Sequence, residues 1–359
     1  MSLSMSPVPN ISPVTPQSSS ATPIISLNYI QLAKPFLTKN EISYMFTNAI
    51  KSDEQLAITY RTTKREAFRF MIELSKALRF PTKILQNACF FYQRFYLLCD
   101  DMKKYLKSYL EISIACIFVS LKMNDYIKKL NVVLGEANKI LNVEVDIDEQ
   151  RRHVLYMEKK MMEFGSFDFR SYSVESFLIK FVKFYGFDKE LCFLIWSISN
   201  DLYLTELTLQ LPAHFNAMAA IELGVRLWNE VKKDNIKVDF NKLGTKISQE
   251  NIVSGVNEML QFYLDNYDWS FIKTCLSELE ISSGNISDTF LNLKIEFIEK
   301  EDEFMKKSKT TSNNESDCIA KDCFFKSRDT EIGKVGSLRF LYNRKAYMNE
   351  LSHAECQTT

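Results

Sequence analysis

The sequence predicts an all-α protein, and three observations carry that prediction. Tyr109–Asp125, YLEISIACIFVSLKMND, is apolar on nearly every side from Ile112 to Leu121, with small residues set between large ones. A helix apolar all round belongs in the middle of a bundle, where neighbours cover every face. Ala213–Asn229, AHFNAMAAIELGVRLWN, has the same character. Glycine (9) and proline (8) are scarce, and five of the prolines fall before Ala33, so strand and turn chemistry has little material to work with.

The two apolar runs align with one another. Setting Lys122 against Arg226 matches Leu121-Lys-Met-Asn to Val225-Arg-Leu-Trp, and upstream Arg94-Phe-Tyr-Leu97 matches Asp201-Leu-Tyr-Leu204. Two weakly similar helical units, each of about a hundred residues, are the simplest account.

Residues 1 to 28 carry no charge and are dense in serine, threonine and proline, a composition that predicts disorder. Four Ser/Thr-Pro dipeptides, at Ser6, Ser12, Thr15 and Thr22, read first as low-complexity sequence and second as sites for proline-directed phosphorylation. Thr38 opens a helix, with Glu41 completing a capping box. The bundle proper begins at Thr63, with Ala67, Met71, Leu74 and Leu78 as one stripe. Phe80-Pro81 starts the next helix, striped by Leu85, Ala88, Tyr92, Phe95 and Leu98. Residues 109–123 are the central helix, Leu130–Leu141 a shorter one. Asp146 to Glu163 follows with an acidic first turn and Val154, Met157, Met161 and Phe164 inward.

The second unit has helices over Val174–Phe184, Lys189–Leu204, Ala213–Glu230, a weak one after Phe240, and Glu250–Asp265. Pro212 sits at a first-turn position, where its missing N–H costs nothing. A further helix spans about 287–307; beyond Lys309 the chain turns polar, with a short element expected in Val335–Tyr347.

Composition narrows the function. The 45 Lys and Arg balance 45 Asp and Glu, whereas a nucleic-acid groove needs a concentrated basic face. The net-positive stretch from Lys306 to Lys345 reads as a solvated linker. The eight cysteines lie partly in apolar helices, and with neither a signal-peptide pattern nor a membrane-spanning run a reducing compartment is expected. No phosphate-cradling glycine loop, G-x-S-x-G or H-E-x-x-H occurs, and His153, His214 and His353 are the only histidines, which argues against an enzyme and against a cofactor. Cys318, Cys323, His353 and Cys356 offer ligand types for zinc in a spacing that fits no standard pattern.

Two consecutive five-helix units around alanine-containing apolar helices resemble the double box of the cyclin family. The carrying residues are Phe91-Tyr-Gln-Arg-Phe-Tyr96, Leu121-Lys122-Met123-Asn124-Asp125, Tyr156-Met-Glu158 and Gly165-Ser-Phe-Asp-Phe169, over roughly residues 34 to 267. The likeness is to transcription-type cyclins of the K and T groups and to the cyclin subunit of fungal C-terminal-domain kinase. It is carried further by Lys34-Pro-Phe-Leu-Thr-Lys-Asn-Glu-Ile42, Arg79-Phe-Pro-Thr-Lys83 and Phe164–Arg170. In place of the substrate-docking pattern of cell-cycle cyclins stands Arg65-Glu-Ala-Phe-Arg-Phe-Met-Ile, which favours a transcriptional role.

The resemblance implies this organisation: 1–33 disordered tail, 34–62 N-terminal helix and linker, 63–170 first cyclin box, 171–268 second box, 269–359 extension, partly helical then largely disordered. It further implies a nuclear, non-catalytic subunit that activates a cyclin-dependent kinase. The substrate would be the C-terminal repeats of RNA polymerase II, with a third small subunit in the complex and no membrane partner. Lys122 and Glu158 are the implied polar kinase contacts, with Met123, Met162 and Phe167 as apolar contacts beside them. Alone, Lys122 reads as a solvated helix-end lysine and Glu158 as a surface acid. The alternative is a cyclin-fold transcription adaptor that binds nucleic acid or basal factors without a kinase.

Overall fold

The computed structural model describes residues 29–31, 36–165, 167–243, 248–281, 286–311 and 338–340. The expectations for residues 1–28 and for Cys318, Cys323, His353 and Cys356 lie outside them. The chain divides into two compact units, Ala33–Lys321 and the two ends, Met1–Leu32 with Asp322–Thr359. In the ends, β1 (Tyr29–Gln31) pairs antiparallel with β2 (Leu338–Phe340), Ile30 opposite Arg339. This three-residue pairing is the one departure from an all-α chain among the described residues, and it falls within the short element expected at 335–347.

The larger unit is helical. α1 (Lys39–Ile50) carries the expected capping box, Thr38 and Glu41 satisfying each other's backbone N–H. α2 (Glu54–Ala77) begins before Thr63, because Asp53 accepts from the Leu56 N–H and caps the helix there. α3 (Thr82–Leu98), α4 (Met102–Leu106), α5 (Tyr109–Met123), α6 (Leu130–Leu141) and α7 (Ile147–Phe164) follow. α5 packs against α2, α3, α6 and α7, which is why nine of its residues are buried with no polar face.

The second bundle repeats the plan with α8 (Val174–Tyr185), α9 (Lys189–Asp201), α10 (Leu207–Gln210), α11 (Ala213–Lys232) and α12 (Gln249–Asn266). α11 is its centre, packed on α8, α9 and α12. The weak helix after Phe240 is a single 3₁₀ turn over Phe240–Leu243. A helix absent from the sequence reading, α13 (Phe271–Glu278), packs on α9, and α14 (Ile286–Thr311) lies along α12 and α11. Among the described residues no helix is long and apolar enough to cross a membrane.

The bundles are joined by buried polar bonds as well as apolar contact. On α3, Gln86 donates to Glu175 and Asn200, and Gln93 donates to the Tyr203 carbonyl. Leu37 N–H donates to the Leu209 carbonyl, and Lys39 reaches Ser254, so the chain before α1 ties into the second bundle. Buried polar groups must find such partners, so the relative placement of the bundles is specified rather than merely greasy.

Candidate functional site

α5 ends abruptly where its polar residues begin. Asp125 adopts a left-handed backbone (φ 53°), and the Tyr126 N–H returns to the Leu121 carbonyl at 2.9 Å. Asn124 donates its side-chain amide to the Ser120 carbonyl. That termination leaves Lys122 on the last turn, 52% exposed, with its Nζ 4.3 Å from the centre of the Phe118 ring.

Glu158 is no surface acid. Its side chain is 7% exposed, and Lys122 Nζ lies 2.5 Å from its Oε1. Val154, Glu158 and Met161 follow one another at i, i+4 and i+7 on the inward stripe of α7. A buried carboxylate without a partner would be costly, so the lysine is held to α7 although half of its side chain remains exposed.

Met162 lies one turn beyond Glu158 and lines a shallow apolar cleft with Val119, Phe91, Phe95 and Phe167. Met157 and Met161 are core, as their spacing predicts. Met123 is half-buried against that core and does not line the cleft.

Phe167 is 64% exposed and sits at φ 55°, a conformation that costs a bulky L-residue about 1–2 kcal/mol. The neighbouring backbone is pinned by groups that sequence reasoning did not single out. Arg94 donates to the Asp168 carbonyl at 2.7 Å, to its carboxylate at 3.2 Å and to the Gly165 carbonyl at 3.4 Å. Arg170 closes on the same carboxylate at 2.6 and 2.8 Å. Burial pushes the Asp168 carboxyl up, but these bonds and the two guanidinium charges outweigh it and hold it at about 2. The charged clamp thus holds an exposed aromatic in a strained backbone conformation. Arg94 and Asp168 each lie in a stretch quoted for the resemblance, but nothing local signalled their pairing across 74 residues.

The matched position in the second bundle is arranged differently. Arg226 pairs with Glu222 one turn back on α11 and with Glu296 on α14. Among the described residues Lys122 pairs with Glu158 of α7, and its side chain is 52% exposed.

No family model matches the chain. The CTD kinase subunit beta of Saccharomyces cerevisiae is 26% identical over 248 residues, 66% of this chain and 72% of that protein. Human Cyclin-K is 24% identical over 213 residues, 57% of this chain and 36% of that protein. The yeast RNA Pol II CTD kinase CTDK-1 complex contains a chain that superposes with a TM-score of 0.60 at 24% identity, covering 74% of this chain and 83% of that one, which establishes the fold. Two helical bundles in series and these relationships together show that the chain has the fold of, and is similar in sequence to, transcription-type cyclins.

Proposed function

We propose that the chain is the regulatory subunit of a nuclear cyclin-dependent kinase that phosphorylates the C-terminal repeat domain of RNA polymerase II and promotes transcription elongation. By the same likeness a third small subunit belongs to the complex. The observation that carries the reading is the Lys122–Glu158 pair, which bridges α5 and α7 beside Met162 and the exposed Phe167.

Such a subunit performs no catalysis. It binds the kinase's mobile regulatory helix in its active position, so that the kinase's own Lys–Glu pair and metal-binding Asp come together. Binding only that arrangement shifts the population toward it by the difference in affinity. The polar pair sets register by meeting the ends of the kinase helix. Phe167 and Met162 supply apolar contact, where most affinity resides.

The test is Lys122→Glu combined with Glu158→Lys, co-expressed with transcriptional kinases. The reversed pair can still close on itself, while the exposed charge at residue 122 changes sign. Kinase capture and phosphorylation of a repeat peptide should fall on the order of 100-fold. Undiminished capture would remove the pair from the interface. Wild type that captures no kinase but retains DNA or a basal factor would mark a cyclin-fold adaptor instead.

A further inference from the structure

α14 carries two apolar faces, and the fold covers one of them. Ile286, Phe290, Leu293 and Phe297 are buried, with Phe290 stacked on Tyr263 of α12 at 5.1 Å. Leu291, Ile295 and Ile298 run along another face of the same helix at i, i+4 and i+7, and are 43–50% exposed. The solvent side of a helix is ordinarily polar; a row of aliphatic residues there is the seam that a second helix packs against.

The row is acidic at both ends. Asp288 lies three residues before Leu291 and Asp302 four after Ile298, so the face reads Asp-x2-Leu-x3-Ile-x2-Ile-x3-Asp. Alternating steps of three and four are the spacing of a helix pair. Both acids are exposed, and neither makes an ion pair among the described residues. Glu299, beside the row, is exposed and unpaired in the same way. Neighbouring cations are engaged elsewhere: Lys294 donates to the Asn257 carbonyl at 2.6 Å, and Lys300 and Arg226 close on Glu296.

These charges select the occupant. A second copy laid antiparallel across Ile295 would set Asp288 against Asp302 at both ends, and a parallel copy would set each acid against itself. Either arrangement brings like charges together beside the seam, which is destabilising. An anionic lipid surface or a nucleic-acid backbone would be repelled by the same carboxylates. What fits is apolar along its middle and cationic at its ends.

We propose that this face of α14 binds an amphipathic helix of a partner protein. Three aliphatic residues of that helix meet Leu291, Ile295 and Ile298, and a lysine or arginine at either end meets Asp288 and Asp302. The two acids are fourteen residues apart, about 21 Å along the axis, which sets the spacing of the partner's cations. Nothing in this argument uses the Lys122–Glu158 pair, so it stands or falls apart from the kinase reading.

The probe is the labelled, end-blocked peptide Lys-Ala-Ala-Leu-Ala-Gln-Ala-Leu-Gln-Ala-Leu-Ala-Gln-Ala-Lys, added to the full chain. Its controls carry glutamate for both lysines, or glutamine for the three leucines. Anisotropy should show the probe binding about tenfold tighter than either control. Ile295→Gln should weaken the probe about tenfold; Ile295 is half-exposed, so the fold is kept. Asp288→Lys combined with Asp302→Lys should reverse the preference, so that the glutamate peptide becomes the tighter ligand. Equal binding of the lysine and glutamate peptides, indifference to Ile295→Gln, or a preference that does not reverse would overturn the proposal. A dimer of the wild-type chain in sedimentation that Ile295→Gln dissolves would overturn it too, by giving the face to a second copy.

Discussion

Lys122 ends the central helix of the first bundle and Arg226 holds the matched place in the second, yet the two cations do different work. Lys122 crosses to a buried acid on another helix and remains open to solvent. Arg226 pairs within its own helix and with α14. Two residues earlier the contrast recurs. Ser120 donates its hydroxyl to the Ile84 carbonyl of α3 at 2.7 Å, whereas Gly224 lets α9 come so close that a Cβ there would lie 2.6 Å from Ile195. The same plan thus serves two ends. The first bundle keeps a polar, exposed edge at its centre's end, and the second closes that edge with α14. The two bundles share a plan, and the location of each cation's partner is what differs between them.

The sharpest way to break the comparison is at the other matched pair, Arg94 and Asp201. Each comes from the second helix of its bundle and ties down the chain at that bundle's end: Arg94 holds the chain leaving α7, and Asp201 holds the start of α13, which follows α12. Asp201 is fully buried and accepts from the N–H groups of Phe271 and Ile272 and from the Tyr263 hydroxyl. Asp201→Ala strands all three donors and should cost about 3–5 kcal/mol in urea unfolding. A loss below about 1 kcal/mol would show that α13 is not anchored there.

The two clamps should also respond oppositely to acid. Burial pushes the Asp201 carboxyl up to about 7, against the pull of its three hydrogen bonds, from an ordinary value of 3.8. The folded state then holds a proton that the unfolded chain releases, so this group's contribution falls as pH rises from about 4 to 7. Asp168, held at about 2, works the other way: its contribution is complete above about pH 4 and is lost as pH falls through 2. Thermal unfolding across pH 3 to 8 should show the neutral-range slope vanish in Asp201→Asn and persist in Asp168→Asn; a slope surviving in Asp201→Asn would assign it elsewhere.

Next in size is Gly224→Ala. Ile195 is fully buried and has no free end to swing aside, so α9 and α11 must separate at a cost of about 1–3 kcal/mol. Ser120→Ala in the first bundle removes one buried hydrogen bond and no space, which should cost about 1 kcal/mol. Equal losses at the two positions would mean that the central helices approach their neighbours alike.

What sequence could and could not reveal follows from the range of each signal. Central helices, the Thr38 capping box and the inward stripe of α7 are local, period-3.6 features and were readable. The burial of Glu158 was readable too, since it continues Val154 toward Met161 at helical spacing, but its acidity drew the eye to the surface reading. The early start of α2 is set by Asp53, a lone cap that the stripe beginning at Ala67 does not point to. α13 is eight residues long, and its anchor, Asp201, lies 70 residues upstream of Phe271. The Arg94–Asp168 clamp is likewise a pairing of distant charges. Such pairings exist only once the helices are packed, and no spacing rule reaches them.

The smallest expected effect tests the comparison at its origin. Arg226 is 41% exposed and bonds to Glu296, 40% exposed, and to Glu222, 18% exposed, so solvent reaches the arginine and screens both pairs. Exposed pairs of this kind contribute about 0–1 kcal/mol. Arg226→Ala should therefore change stability by less than about 1 kcal/mol, and should leave kinase capture untouched, whereas Lys122→Ala strands the buried Glu158 and should cost more on both counts. Both substitutions remove a single helix-end cation from matched places, so the difference between them isolates the partner. If Arg226→Ala proved as damaging as Lys122→Ala, the cation's position in the bundle rather than the burial of its partner would be what matters, and the distinction between the two faces would fall.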